Sequence, residues 1–91
     1  MRVNADEAPI SAQELVELSE RLKLSPRQTE IVNHVLLGSV YKQIAREMGI
    51  SMATVRTHLS RLFRKLDVND RVELIFHLMA ALRTHNEDHT K

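Results

Sequence analysis

The sequence predicts an all-α domain, and three observations carry that prediction. Apolar residues recur at intervals of three and four along most of the chain, which is the period of an amphipathic helix. The 91 residues include only two glycines and two prolines, so the turn chemistry needed by many short strands is missing. Serines that can cap a helix stand directly before several apolar segments. With only three aromatic side chains, the core is expected to be aliphatic.

Residues 1–23 are expected to form an extension that carries one short acidic helix. The first ten residues are predicted to be extended or disordered. Ser11 and Glu14 have the spacing of a capping box, in which each side chain accepts the backbone N–H of the other residue. The apolar stripe of the helix that follows consists of Leu15, Leu18 and Leu22.

A second helix is predicted to begin after Ser25. Pro26 suits the first helical position because its missing N–H would have no partner there, and Gln28 completes a second capping box. Gly38 is placed to end this helix in a left-handed conformation. The predicted buried face consists of Ile31, Val32, Val35 and Leu36.

The next two helices are close enough to form a helix-turn-helix. Ser39 is a candidate cap for the first, and Gly49 is placed to end it. A single residue, Ile50, separates that glycine from Ser51, the candidate cap of a helix over 52–66. Such a short glycine-containing connection is typical of two helices that meet at a steep angle. The predicted core residues are Val40, Ile44, Ala45 and Met48 on the first helix and Val55, Leu59, Leu62, Phe63 and Leu66 on the second.

The last helix is predicted from about Asp70 to Leu82 or Arg83, with Asn69 as a candidate cap and 84–91 as a polar tail. It is apolar on two sides, and such a helix either fills a deep core or meets another subunit. Because so small a domain has little room for a deep core, we expect a dimer surface here. Either of two stripes could face the partner, one with Leu74, Leu78 and Ala81 and one with Ile75, Met79 and Leu82. The predicted dimer residues are Leu74, Ile75, Leu78, Met79 and Leu82.

Composition excludes several classes of protein. The chain has no cysteine, so it has neither disulfides nor zinc–thiolate sites, which fits a cytoplasmic protein. No apolar stretch approaches the ~20 residues that span a bilayer, and the acidic amino terminus does not resemble a signal peptide. The five histidines lack metal-ligand spacing, and no nucleophile–base pair or phosphate-binding glycine loop is present. We therefore expect no metal, no cofactor and no enzymatic activity.

The charge distribution says more than the net charge of +1. Residues 1–22 contain two basic and five acidic side chains, a balance of −3, whereas residues 38–71 contain seven basic and three acidic, a balance of +4. A basic middle segment suits a nucleic-acid partner, although solvated helix faces would explain the same pattern.

Several stretches together carry a family resemblance. They are LSPRQTEIV at 24–32, Gly38, YKQIAREMGIS at 41–51, TVRTHLSRLFRKLDV at 54–68 and NDRVEL at 69–74. With them, residues 24–83 resemble the LuxR-type helix-turn-helix domain, a DNA-binding effector domain of NarL/GerE type. The resemblance implies four helices, of which the second and third form the helix-turn-helix and the fourth commonly mediates dimerisation. Four positions depart from the family's common pattern, namely Gln28, Tyr41, Gln43 and Ser60.

Base-reading residues are expected on the outer face of the 52–66 helix. Arg56 and Ser60 lie one above the other at i and i+4, and Thr57 flanks them. An arginine can donate two parallel hydrogen bonds to guanine, and a threonine offers a methyl group to thymine. The resemblance also implies that base contacts concentrate at these three positions. The expected phosphate contacts are Lys42, Ser51, Thr54, His58, Arg61, Arg64 and Lys65.

The sequence therefore predicts a transcription regulator that binds double-stranded DNA as a homodimer on a pseudo-palindromic site. Two alternatives remain open. A promoter-binding module like region four of sigma factors shares the motif and would act with RNA polymerase. A protein-interaction module would use the last helix, or the helix with Leu15, Leu18 and Leu22, to bind and inhibit a larger regulator.

Overall fold

The structure is a computed structural model that describes the backbone of residues 10–89 and the side chains of residues 10–83. Over that range the chain forms helices and no strand, which confirms the all-α prediction. Of the predicted extended segment 1–10, only Ile10 lies within the described residues, and its side chain is buried in the core. The helices are α1 (Ala12–Arg21), α2 (Pro26–Leu36), α3 (Tyr41–Met48), α4 (Met52–Leu66) and α5 (Arg71–His89).

Both predicted capping boxes are present. Ser11 Oγ accepts a hydrogen bond from the Glu14 N–H at 3.1 Å, and the Glu14 carboxylate accepts from the Ser11 N–H at 2.9 Å. Ser25 and Gln28 make the same two bonds at 3.1 and 2.9 Å. Because the first N–H groups of a helix have no partner within it, such a cap stabilises the helix by about 1 kcal/mol. The caps fix the residues at which α1 and α2 begin.

The connection between α3 and α4 has the predicted geometry. Gly49 ends α3 with a φ of 67°, in the left-handed region that glycine adopts without a steric penalty. Ile50 follows, and Ser51 then caps α4 by accepting a hydrogen bond from the Thr54 N–H at 3.0 Å. This short connection sets α3 against α4 as a helix-turn-helix.

The core is aliphatic, and α4 lies at its centre. It packs on α2, α3 and α5, while α1 packs on α2 and α5. Most residues of the predicted inward faces of α2, α3 and α4 are buried, whereas Leu36, Phe63 and Leu66 are half-buried. Val40 is 63% exposed because α3 begins only after it, so its extended backbone places it outside the helical register. The buried residues of these three helices are Ile31, Val32, Val35, Ile44, Ala45, Met48, Val55, Leu59 and Leu62.

Two predicted caps are wrong. No side chain caps α3, since the N-cap residue is Val40, and Ser39 is buried with its N–H donating to the His34 carbonyl at 3.0 Å. At the start of α5, Asp70 replaces Asn69 as the cap, because its carboxylate accepts from the Glu73 N–H at 2.9 Å.

The last helix is longer than predicted. Its backbone remains helical to His89, so residues 84–89 of the predicted polar tail continue α5. On its inner side Leu74, Leu78 and Leu82 are buried against the core. None of the described helices combines the length and apolar character needed to cross a membrane.

Candidate nucleic-acid interface

The outer face of α4 is a polar row directed away from the core. Its members lie at i, i+4, i+7 and i+11, which is one side of a helix, and all four are exposed. On the opposite side Val55, Leu59 and Leu62 are buried, so packing fixes how the row is turned. The row consists of Ala53, Thr57, Ser60 and Arg64, flanked by the exposed side chains of Arg56 and Arg61.

The three residues predicted to read bases are all exposed on this face. Thr57 Oγ1 donates to the Ala53 carbonyl at 3.1 Å, which leaves its hydroxyl as an acceptor toward solvent. Arg56 keeps the planar group that can bond two acceptors of one base edge. Sequence analysis missed Ala53, whose methyl group stands on the same row. The i, i+4 spacing of Ala53 and Thr57 could have placed Ala53 on this row from the sequence.

The amino end of α4 is electropositive and open to solvent. No acidic side chain stands in its first turn, so the positive end of the helix dipole is not offset there. Ser51 Oγ and Thr54 Oγ1 are 2.9 Å apart and share one hydrogen bond, and Ser51 Oγ also accepts from the Thr54 N–H. One of the two hydroxyl hydrogens therefore remains available to an incoming acceptor. This is the arrangement that suits an anion such as a backbone phosphate.

The carboxyl half of α4 is less uniform than predicted. Arg61 and Arg64 are exposed, and His58 is half-buried beside the core. The ammonium group of Lys65 instead donates to the carbonyl oxygen of Lys23 and lies 3.4 Å from Gln28 Oε1. Lys65 therefore ties the end of α4 to the turn between α1 and α2.

Lys42 lies in the first turn of α3, exposed on the outer side of that helix. It lines a shallow open groove with Val40, Gln43, Arg46 and Glu47. Because α3 packs on α4, Lys42 belongs to the same helix pair as the polar row.

Three of the five residues predicted to form a dimer surface are buried within the protomer. Leu74 and Leu78 are fully buried and Leu82 nearly so, which corrects the prediction for these three. Ile75 is half-buried, and Met79 is 49% exposed. Two unpredicted residues stand beside them, since Val72 is 59% and Phe76 is 68% exposed. The i, i+4, i+7 spacing of Val72, Phe76 and Met79 in the sequence could have shown that they share one side of the helix. We call Val72, Ile75, Phe76 and Met79 the outer α5 face.

Among the described side chains, no three or more His, Cys, Asp or Glu residues converge on a point where a metal ion could bind. The Nδ1 of His34 on α2 lies 3.2 Å from Glu47 Oε2 on α3.

Comparison with known proteins agrees with this architecture. Residues 22–78 match the GerE model, described as bacterial regulatory proteins of the luxR family. The match covers more than half of the chain and includes α2, α3 and α4 completely. The chain belongs to the luxR family of bacterial regulatory proteins.

Individual relatives are similar over the same region. The transcriptional activator protein CarR of Pectobacterium carotovorum subsp. carotovorum is 46% identical over 50 residues, covering 55% of this chain and 20% of CarR. The monoamine regulon transcriptional regulator of Klebsiella aerogenes is 43% identical, covering 67% and 28%. DesR of Bacillus subtilis, a transcriptional regulatory protein, is 40% identical, covering 72% and 34%. The matched regions thus span 20–34% of these relatives' lengths. No solved structure gives a significant match.

Proposed function

We propose that this protein is a sequence-specific DNA-binding transcription regulator that inserts α4 into the major groove. The observation that carries the proposal is the outer face of α4, a polar and cationic row turned outward by a fully apolar inner stripe. A major groove admits one helix of this kind and presents base edges to its outer side chains. Membership of a family of bacterial regulatory proteins supports the same function.

The polar residues divide into two roles. Arg56, Thr57 and Ser60 read bases, and Arg56 contributes most because a bidentate arginine–guanine contact is worth about 1–3 kcal/mol of discrimination. Backbone contacts carry no sequence information but set the register of the protein on the duplex. The proposed phosphate contacts are Lys42, Ser51, Thr54, His58, Arg61 and Arg64; Lys65 is set apart from them by its bond to Lys23.

We further propose that two copies pair through the outer α5 face. Its apolar side chains are contiguous on one side of the helix, and exposed apolar patches of this kind mark interaction surfaces. A symmetric pair would place two copies of α4 in major grooves one turn apart, roughly 34 Å. The expected operator is therefore pseudo-palindromic.

The alternative of an interaction module that uses α1 finds less support. Leu18 is buried and Leu15 and Leu22 are half-buried, so this leucine stripe is already occupied within the protomer. A heterologous partner, including RNA polymerase, would have to use the outer α5 face or the groove beside α3.

The test is to select bound sites from a random DNA library with the full chain. We expect an inverted repeat whose half-sites are about 10 base pairs apart, and a steep fall in affinity with salt because each neutralised phosphate releases counterions. Sedimentation should show a dimer. Recovery of no preferred sequence, with no salt-dependent binding at low ionic strength, would overturn the proposal. A stable heteromeric complex without DNA binding would favour the interaction module.

A further inference from the structure

A single side chain of α5 bridges to the amino end of α3. Arg71 Nη2 donates to the Ser39 carbonyl oxygen at 2.6 Å, and the guanidinium carbon lies 5.7 Å from the centre of the Tyr41 ring. Arg71 and Tyr41 are half-buried and Ser39 is buried. We call these three residues the Arg71 bridge. It joins positions 32 residues apart, so it is a tertiary contact.

The bridge lies at the amino end of the one described helix that begins without a side-chain cap. The helices α1, α2, α4 and α5 each begin with a side chain that accepts a first-turn N–H, whereas α3 begins at Val40 without one. At two turns, α3 is also too short to hold its own geometry. Among the described helices, α4 is the only one on which α3 packs extensively. The amino end of α3 is therefore held in place by Arg71.

Local helix energetics do not account for an arginine at this position. The first turn of a helix favours acidic side chains, as Glu73 and Asp70 illustrate, and disfavours a cation. Arg71 lies in that first turn, but its guanidinium reaches the turn after the carboxyl end of α2, where a cation is favoured. The ring of Tyr41 provides a second attractive contact. Both contacts lie outside α5.

The bridge lies next to two surfaces that the proposed function uses, the phosphate contact at Lys42 and the outer α5 face. Lys42, a proposed phosphate contact, follows Tyr41 directly in the first turn of α3. Val72, on the outer α5 face, follows Arg71 directly. A displacement of the bridge would therefore move Lys42 relative to α5.

We propose that Arg71 is a positioning residue for DNA binding, which holds the amino end of α3 so that Lys42 meets the phosphate backbone. The inference rests on the proposed function. Arg71 and Tyr41 affect DNA affinity only through the position of Lys42 and do not contact DNA themselves.

The test compares the salt dependence of DNA binding for wild type, Arg71→Met, Lys42→Ala and the double variant. Each lost phosphate contact makes the slope of log K against log salt shallower by about 0.9. In a dimer both protomers carry the substitution, so slope changes are expressed per bound protomer. We expect Arg71→Met and Lys42→Ala each to make the slope shallower by about 0.9, with affinity reduced by about three- to tenfold. The double variant should make it no shallower than either single variant, because both changes remove the same contact. Arg83→Met is the matched control, since it removes an exposed arginine from the same helix.

Two other variants separate positioning from stability. Tyr41→Phe keeps the ring face and should retain the wild-type slope. Tyr41→Leu removes the ring but leaves the hydrogen bond from Arg71 to Ser39. It therefore tests the bridge even if Arg71→Met is unfolded at the assay temperature. Circular dichroism shows whether each variant is folded. We expect an intermediate slope for Tyr41→Leu.

Each contrary result has its own meaning. The positioning role would be overturned if Arg71→Met or Tyr41→Leu were folded and kept the wild-type salt slope of DNA binding. A double variant that loses a further ~0.9 would overturn it in favour of a direct phosphate contact by Arg71. A wild-type protein without salt-dependent DNA binding would instead overturn the proposed function, and the positioning role with it.

Discussion

The helices α4 and α5 are alike on their inner sides and different on their outer sides. Each buries three residues in the same aliphatic core, Val55, Leu59 and Leu62 on α4 and Leu74, Leu78 and Leu82 on α5. Outward, α4 presents arginines, hydroxyls and one alanine, whereas α5 presents valine, phenylalanine and methionine. A polar cationic helix face suits a polyanion, and an apolar face suits another protein surface.

The comparison shows that burial has to be known before an apolar helix can be interpreted. On α4, polar and apolar residues separate cleanly, so the sequence alone identifies both sides. On α5, apolar residues occupy both sides, and only the packing shows which of them face outward. Four tests probe the division between the inner and outer sides, ordered from the largest expected effect to the smallest.

Phe76→Asp should abolish pairing of two copies. Burying a phenylalanine contributes about 1.5–3 kcal/mol, and a symmetric interface contains it twice, so the dimer dissociation constant should rise by at least about a hundredfold. Sedimentation velocity measures this change. Val16→Asp, which places the same charge at an exposed apolar position of α1, should leave the dimer intact. An unchanged dimer in Phe76→Asp would place the interface elsewhere.

Leu62→Ala should destabilise the fold, and Leu74→Ala should do so to a similar extent. Both side chains are fully buried, and removing a buried leucine costs about 2–5 kcal/mol through lost burial and the cavity left behind. Urea unfolding at a fixed protein concentration gives the change in the free energy of unfolding. Ser60→Ala, on the outer side of α4, should stay within about 0.5 kcal/mol of wild type. A change below about 1 kcal/mol for Leu62→Ala would contradict the burial assigned to it.

Arg56→Ala should relax base preference at one position of each half-site and leave stability unchanged. The expected loss of discrimination is about 1–3 kcal/mol for that base pair. Competition binding with operators changed at single positions measures it. Arg27→Ala is the control, since Arg27 is exposed on α2 and pairs with Glu30 at 3.6 Å. If every operator variant keeps its wild-type ranking, Arg56 does not read a base.

Lys65→Ala should have the smallest effect. Its ammonium is directed to the Lys23 carbonyl, so we expect less than about a twofold change in DNA affinity and less than about 1 kcal/mol in stability. The neighbouring Arg64→Ala should make the salt slope shallower by about 0.9 per bound protomer, because Arg64 belongs to the outer row. Equal salt slopes for Lys65→Ala and Arg64→Ala would return Lys65 to the phosphate contacts.

The sequence predictions that the structure confirms concern contacts between residues that are close together in the sequence. The capping boxes at Ser11 and Ser25, the cap at Ser51 and the left-handed glycines involve partners within about four residues of each other. The inner stripe of α4 depends on helical period alone. These features follow from local chemistry, and the structure confirms them.

The features that the sequence did not predict depend on distant partners. Ser39 has a cap-forming side chain, but its carbonyl is held by Arg71 and α3 starts one residue later than that cap would require. Lys65 remains a predicted phosphate contact, but its ammonium group donates to the carbonyl oxygen of Lys23, 42 residues away. Nothing within a few residues of either position signals these contacts.

By itself, the sequence determined that the chain is helical, where most of its helices begin and which side of α4 faces outward. Those properties arise from hydrogen bonds and periodicities that span one or two turns. Only the tertiary structure decided which stripe of α5 remains exposed, which cations are already engaged and how α3 is held without a cap. The first depends on the packing of α5 against α1, α2 and α4. The other two depend on contacts between α4 and the α1–α2 turn and between α5 and the α2–α3 turn, which form only when the helices pack together.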